Sequence, residues 1–273
     1  MSLSPACTVV GYVPAMRRAL ALVLVLSALP AATEAAAPSW SAAVASARAY
    51  ARTRSGTVSF AVTDEQGRLH GWREHASWFS ASLLKPVIMG TLLTRRAVRA
   101  RPLTDDERAL LTPMIRASAN EPADTFFTRL GPAAIERFGR RHGLRSLRVA
   151  APVWGSSIIT AAGYARFFRA LPRAIPPRHL VFALRLLRTI IGPQRWGVPP
   201  VKPRGWALIF KGGWRAGRGY GRIVNQAALL ECGLRQITLT ILTDRDPSHD
   251  YGTDTVRGVA RRLLAPLGAC RGR

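Results

Sequence analysis

The stretch Ser80-Ala81-Ser82-Leu83-Leu84-Lys85-Pro86 is the point from which this 273-residue chain becomes readable. It falls at the expected start of a helix, where residues three apart share a face, so Ser82 and Lys85 project together within reach of each other. The positive end of the helix dipole disfavours an ammonium in the first turn and pushes Lys85 towards the neutral amine, which can take a serine proton. The choice of lysine is itself informative. The chain has only three, Lys85, Lys202 and Lys211, among 40 basic residues. Arginine stays protonated in proteins, whereas a lysine with a lowered pKa can accept a proton. Taken alone, Ser-Xaa-Xaa-Lys is also what a serine N-cap and an ordinary surface lysine would give.

Two more clusters lie downstream. Ser118-Ala119-Asn120 closes one helical pattern just before Glu121 and Pro122 open another; by itself it fits an N-cap serine with a turn asparagine. Lys211-Gly212-Gly213 ends the β-like run 207–210, where small residues let a substrate approach the backbone of an edge strand; by itself it fits a hairpin turn. In this order and context the three elements say more than any one of them.

The rest of the chain frames these clusters. Residues 40–52 read as an amphipathic helix, and 57–63 with 69–73 as a hairpin across Glu65-Gln66-Gly67. Residues 105–115, 121–130, 133–142, 161–170 and 179–188 carry helical patterns punctuated by Pro and Gly, which predicts a helical lobe over about 82–190. Beyond the proline-rich 199–203, the runs 207–210, 223–230 and 236–243 read as strands and 255–264 as a last helix. The expectation is an α/β mixture of the α+β kind. One antiparallel five-stranded sheet is flanked by helices and interrupted by an inserted all-helical lobe, with residues 38–273 forming a single domain. Gly212, Gly213, Gly217, Gly219 and Gly221 join two strands rather than a strand to a helix, so they predict a hairpin loop and not a phosphate cradle. No Gly-Xaa-Ser-Xaa-Gly elbow supports a Ser-His-Asp hydrolase.

With its serine, serine-asparagine and lysine-glycine motifs in this order, the chain resembles the class A β-lactamase and penicillin-binding protein superfamily over most of its length. Residues 114–120, Val224-Asn225-Gln226-Ala227 and Tyr251-Gly252 add to the likeness. The resemblance implies that Ser82 attacks a carbonyl, Lys85 receives its proton and Ser118 relays a proton to the leaving nitrogen. It further implies that Asn120 orients substrate and Lys85, that Lys211 holds a substrate carboxylate or stabilises the developing charge, and that Gly212 and Gly213 line the bound substrate. The backbone N–H groups of Ser82 and Trp214 would form an oxyanion hole. No cofactor is implied.

Four departures modify that expectation. Ala119 stands where the family usually has aspartate, and Gly212 where it has a hydroxyl residue, which removes a substrate-binding group. The short span from Ser82 to Ser118 suggests that part of the helical lobe is trimmed. Most consequentially, no Asp or Glu occurs from Arg137 through Leu230, where the family carries its deacylating glutamate. That predicts an acyl-enzyme with a β-lactam or a peptidoglycan-like peptide and slow release. The alternatives are an envelope-binding protein impaired in catalysis on the same scaffold, and a true β-lactamase with another water-activating group.

Arg17 and Arg18 followed by the apolar run 19–29 and the small residues Ala35, Ala36 and Ala37 predict a signal peptide over residues 1–37 and a secreted or cell-envelope location, with an uncleaved anchor as the other reading. Met16 offers an alternative start that would make residues 1–15 an over-extension. Cys7 would leave with the signal, so Cys232 and Cys270 form a candidate disulfide; two unrelated thiols are the other reading. The five histidines are too scattered for a metal site. The net charge of +25 favours anionic surroundings, such as a cell-wall polymer, or simply a solvated surface. No zinc-finger or basic-zipper pattern points to nucleic acid, and a monomer is expected.

Overall fold

In β1 (Thr57–Thr63), Val58, Phe60 and Val62 pack to one side while Ala61 packs to the other, and both sides are buried. The period-two alternation of a strand therefore gives this sheet two apolar faces, each needing a covering layer. The computed structural model, which describes residues 11, 37–217 and 221–271, supplies both layers. Among the described residues the sheet has five strands in the order β2 (Leu69–Trp72), β1, β7 (Arg235–Asp244), β6 (Arg222–Cys232), β5 (Ala207–Ala216), every neighbouring pair antiparallel.

One face is covered by α1 (Trp40–Arg52) and α9 (His249–Leu263). Ala47 and Ala51 from the first and Val256, Val259 and Leu263 from the second pack on Phe60, Leu239, Ile241 and Phe210. Small residues on α1 let the two helices and the sheet approach closely, and each fully buried large apolar side chain contributes about 1.5–3 kcal/mol. The other face carries the helical lobe: α2 (Leu84–Thr94), α3 (Arg96–Arg99), α4 (Asp105–Arg116), α5 (Glu121–Leu130), α6 (Pro132–Arg141), α7 (Ala161–Ala174) and α8 (Pro177–Arg188). At the centre of that lobe α2 is buried all round, from Leu84 to Leu93, as an apolar helix without a polar face must be.

The expected α+β architecture is present, with several bounds moved. The last helix starts at His249 because Ser248 caps it, accepting from the Tyr251 backbone N–H. Strand β5 does not stop at Phe210 but runs on through Lys211-Gly212-Gly213 to Ala216, paired residue for residue with β6, so these glycines are not a turn. A second, two-stranded sheet pairs β3 (Trp78–Phe79) with β4 (Ile158–Ile159), both too short to show a period. Cys232 at the end of β6 is disulfide-bonded to Cys270 beyond α9. The expected export signal, the alternative start and Cys7 lie outside the described residues, as does Gly219.

Candidate active site

Ser82 does not open a regular α-helix. It sits in a single 3-10 turn, Ala81–Leu83, that feeds into α2 at Leu84. Two constraints hold this turn. The Tyr164 hydroxyl, from buried α7, donates to the Leu83 carbonyl, and the Ser80 N–H donates to the Ser157 carbonyl at 2.7 Å. Ala81 is held at φ 45°, a conformation that disfavours any residue with a Cβ, so the turn carries local strain beside the serine. The Ser82 side chain borders a cavity of about 360 Å³ lined also by Asn120, Asp124, Trp154 and Trp214.

Lys85, in the first turn of α2, is fully buried. Its Nζ donates to the Ser118 carbonyl, to Ser118 Oγ at 3.2 Å and to Asn120 Oδ1 at 2.9 Å. Among the described residues it makes no hydrogen bond to Ser82, so the direct contact expected from the three-residue spacing is not formed here. The 3-10 turn changes the helical register between the two side chains. Burial brings the Lys85 ammonium down to about 7, against the Asp124 carboxylate, which raises it. The Trp154 ring, 5.1 Å from Nζ, also favours the charged form.

Ser118 lies in the loop between α4 and α5 with φ 57°, and this left-handed backbone turns its hydroxyl between two lysines. Lys211 Nζ donates to the same Oγ at 2.9 Å and to the Gly212 carbonyl at 2.8 Å. Lys211 is fully buried as well, and burial together with the charge of Lys85 pushes its pKa well below the ordinary lysine range. Two buried ammoniums on one hydroxyl repel each other, so the pair favours a state with at least one neutral amine.

Strand β5 brings its backbone against the serine turn. A Cβ on Gly213 would stand 2.8 Å from the Ser82 nitrogen and 3.0 Å from the Leu83 nitrogen, so only glycine lets the strand pass this close. Beyond it, Trp214 is 37% exposed at the cleft rim. A Cβ on Gly212, on the opposite face, would meet the Trp196 ring at 2.8 Å, which accounts for the missing hydroxyl residue there. Asn225 is buried behind the site. Its Nδ2 donates to the Phe79 carbonyl and its Oδ1 accepts from the Thr243 N–H, which ties β6 to β3.

The fold thus brings Ser82, Lys85, Ser118, Asn120, Lys211, Gly213 and Trp214 together, while Gly212 faces away towards Trp196. It also brings in a carboxylate from outside residues 137–230. Asp124, one helical turn beyond Asn120 on α5, lines the Ser82 cavity, where its Oδ1 accepts from Trp154 Nε1 at 2.5 Å. The i,i+4 spacing from Asn120 was the available signal for it.

No protein-family model matches the chain, and a search of curated proteins finds no match. Solved structures do resemble it. A β-lactamase from Sphaerobacter thermophilus superposes with a TM-score of 0.70 at 18% identity, covering 83% of this chain and 97% of that one. A β-lactamase from Burkholderia vietnamiensis gives 0.71 at 17%, covering 82% and 95%. An ancestral class A β-lactamase gives 0.68 at 19%, covering 81% and 98%. This chain has the class A β-lactamase fold.

Proposed function

We propose that this chain, built on the class A β-lactamase fold, is an exported serine acyl-enzyme whose nucleophile is Ser82 and whose activating amine is Lys85. The observation that carries the reading is Ser118 Oγ, held between Lys85 and Lys211, with Lys85 also bonded to Asn120, which lines the Ser82 cavity. In the first step Ser82 Oγ bonds to the carbonyl carbon of an amide and its proton passes to the neutral Lys85 amine. The oxyanion is met by the Ser82 and Trp214 backbone N–H groups. Collapse breaks the carbon–nitrogen bond, and the leaving nitrogen takes a proton from Ser118 Oγ, which Lys85 replaces. Lys211, with a substrate anion beside it, regains the charge that burial disfavours.

Release requires water to attack the ester with help from a base. Asp124 is the carboxylate lining this cavity, and its bond to the Trp154 indole competes with that task. Slow deacylation follows, with β-lactams or peptidoglycan-like peptides as acyl donors. Incubation with a labelled penicillin, read by intact-protein mass, is expected to give one adduct per chain, mapped to Ser82 and absent in Ser82→Ala. Complete lack of adduct with β-lactam, amide and ester donors would contradict the reading.

A further inference from the structure

A second cavity, of about 480 Å³, adjoins the first, and Trp214 and Arg215 line both. Its size is that of a small-molecule site. Trp196, Trp214 and His249 form its wall, each ring nearly perpendicular to the others, with centroids 5.7–6.2 Å apart. Edge-to-face rings of this kind present both π-faces and positive ring edges to a further ring. Arg215 and Arg222 line the same space and make it attractive to an anion. Within this wall His249 Nε2 is buried and has no hydrogen-bond partner among the described residues.

The wall is built rather than incidental. Buried Gln226 accepts from the Val198 N–H at 2.6 Å and donates to the Trp196 carbonyl at 2.8 Å, so one side chain clamps the backbone on both sides of Gly197. Gly197 has φ 70°, and a Cβ there would stand 2.4 Å from Gln226 Oε1. Gly212 completes the arrangement, since any side chain on that face of β5 would occupy the position of the Trp196 ring. Residues 196, 197, 212 and 226 therefore specify one another.

We propose that this cavity is a subsite for an aryl group bearing a negative charge, carried by the substrate that acylates Ser82. The proposal rests on the Ser82 reading for its link to catalysis, but the subsite itself is testable without any reaction. Tryptophan fluorescence of the wild-type protein and of Ser82→Ala is titrated with benzoate, acetate and benzyl alcohol. Benzoate is expected to bind about tenfold more tightly than either other probe, in both proteins, because only it offers ring and charge together. Trp196→Ala and Gly212→Ser, which remove and displace the ring, are each expected to weaken benzoate by about tenfold, while Trp196→Phe retains most of the affinity. Equal binding of benzoate and acetate to the wild-type protein, or benzoate affinity unchanged in folded Trp196→Ala, would overturn the subsite. Benzoate bound as expected with no acylation of Ser82 by any donor would instead overturn the catalytic reading and leave the subsite standing.

Discussion

The chemistry of the cleft turns on the balance at Lys85. Burial lowers its pKa to about 7, and Asp124 works in the opposite direction, so the fraction of free amine rises with pH through neutrality. Acylation should therefore rise through the same range. Asp124→Asn removes the carboxylate that favours the ammonium, which lowers the Lys85 pKa further. The acid limb of the acylation rate should move to lower pH, as measured by stopped-flow acylation from pH 5 to 9. A limb unmoved, or moved upward, would mean that Asp124 does not act on Lys85. Replacing Lys85 by arginine would keep the charge but lose this titration, which is why the scarcity of lysine in an arginine-rich chain is informative.

Among the elements, β5 decides the site. Its odd-numbered residues Lys211 and Gly213 face the helical lobe and the serine turn, while Gly212 faces Trp196, so a single strand holds both sides of the cleft. Gly213→Ala would press a methyl group onto the Ser82 backbone nitrogen. Acylation is expected to fall roughly 10²–10³-fold, the loss typical of one oxyanion donor, with the far-ultraviolet circular dichroism unchanged. Helices were legible from the sequence where they carry their own punctuation, as at Thr104, whose capping box with Glu107 opens α4, and at Pro122, near the start of α5. Strand β5 is legible only as far as Phe210 because Lys-Gly-Gly has the composition of a turn. Only pairing with residues 225–227 reveals it as strand. The pairs β3 and β4 are two residues long and left no periodicity to read. Asp124 is less legible for a different reason: apart from its i,i+4 spacing from Asn120, its proximity to Ser82 arises from the packing of α5 beside α2.

Among the described residues, a sheet buried on both faces joins α1 and α9 to the inserted lobe, and Ser82 lies where lobe and sheet meet. The serine, serine-asparagine and lysine-glycine motifs were legible because each is a short local pattern and the three follow in order along the chain. The aromatic wall was not, since Trp196, Trp214 and His249 come from three separate segments. The Cys232–Cys270 bond closes a loop with a sequence separation of 38 around α9 and fixes the chain beyond that helix to the end of β6. Loop-closure entropy assigns it about 3–4 kcal/mol, so Cys232→Ser should lower unfolding free energy by that amount in urea titrations. A loss below the error of extrapolation would show that α9 docks without it.

The most direct test of the whole account is the rate at which Ser82 is acylated in Lys85→Arg. With the charge kept and the titratable amine removed, the rate should drop about 10²–10⁴-fold at pH 8 while the thermal midpoint stays near that of the wild-type protein. An acylation rate equal to wild type in the folded variant would contradict Lys85 as the group that takes the serine proton.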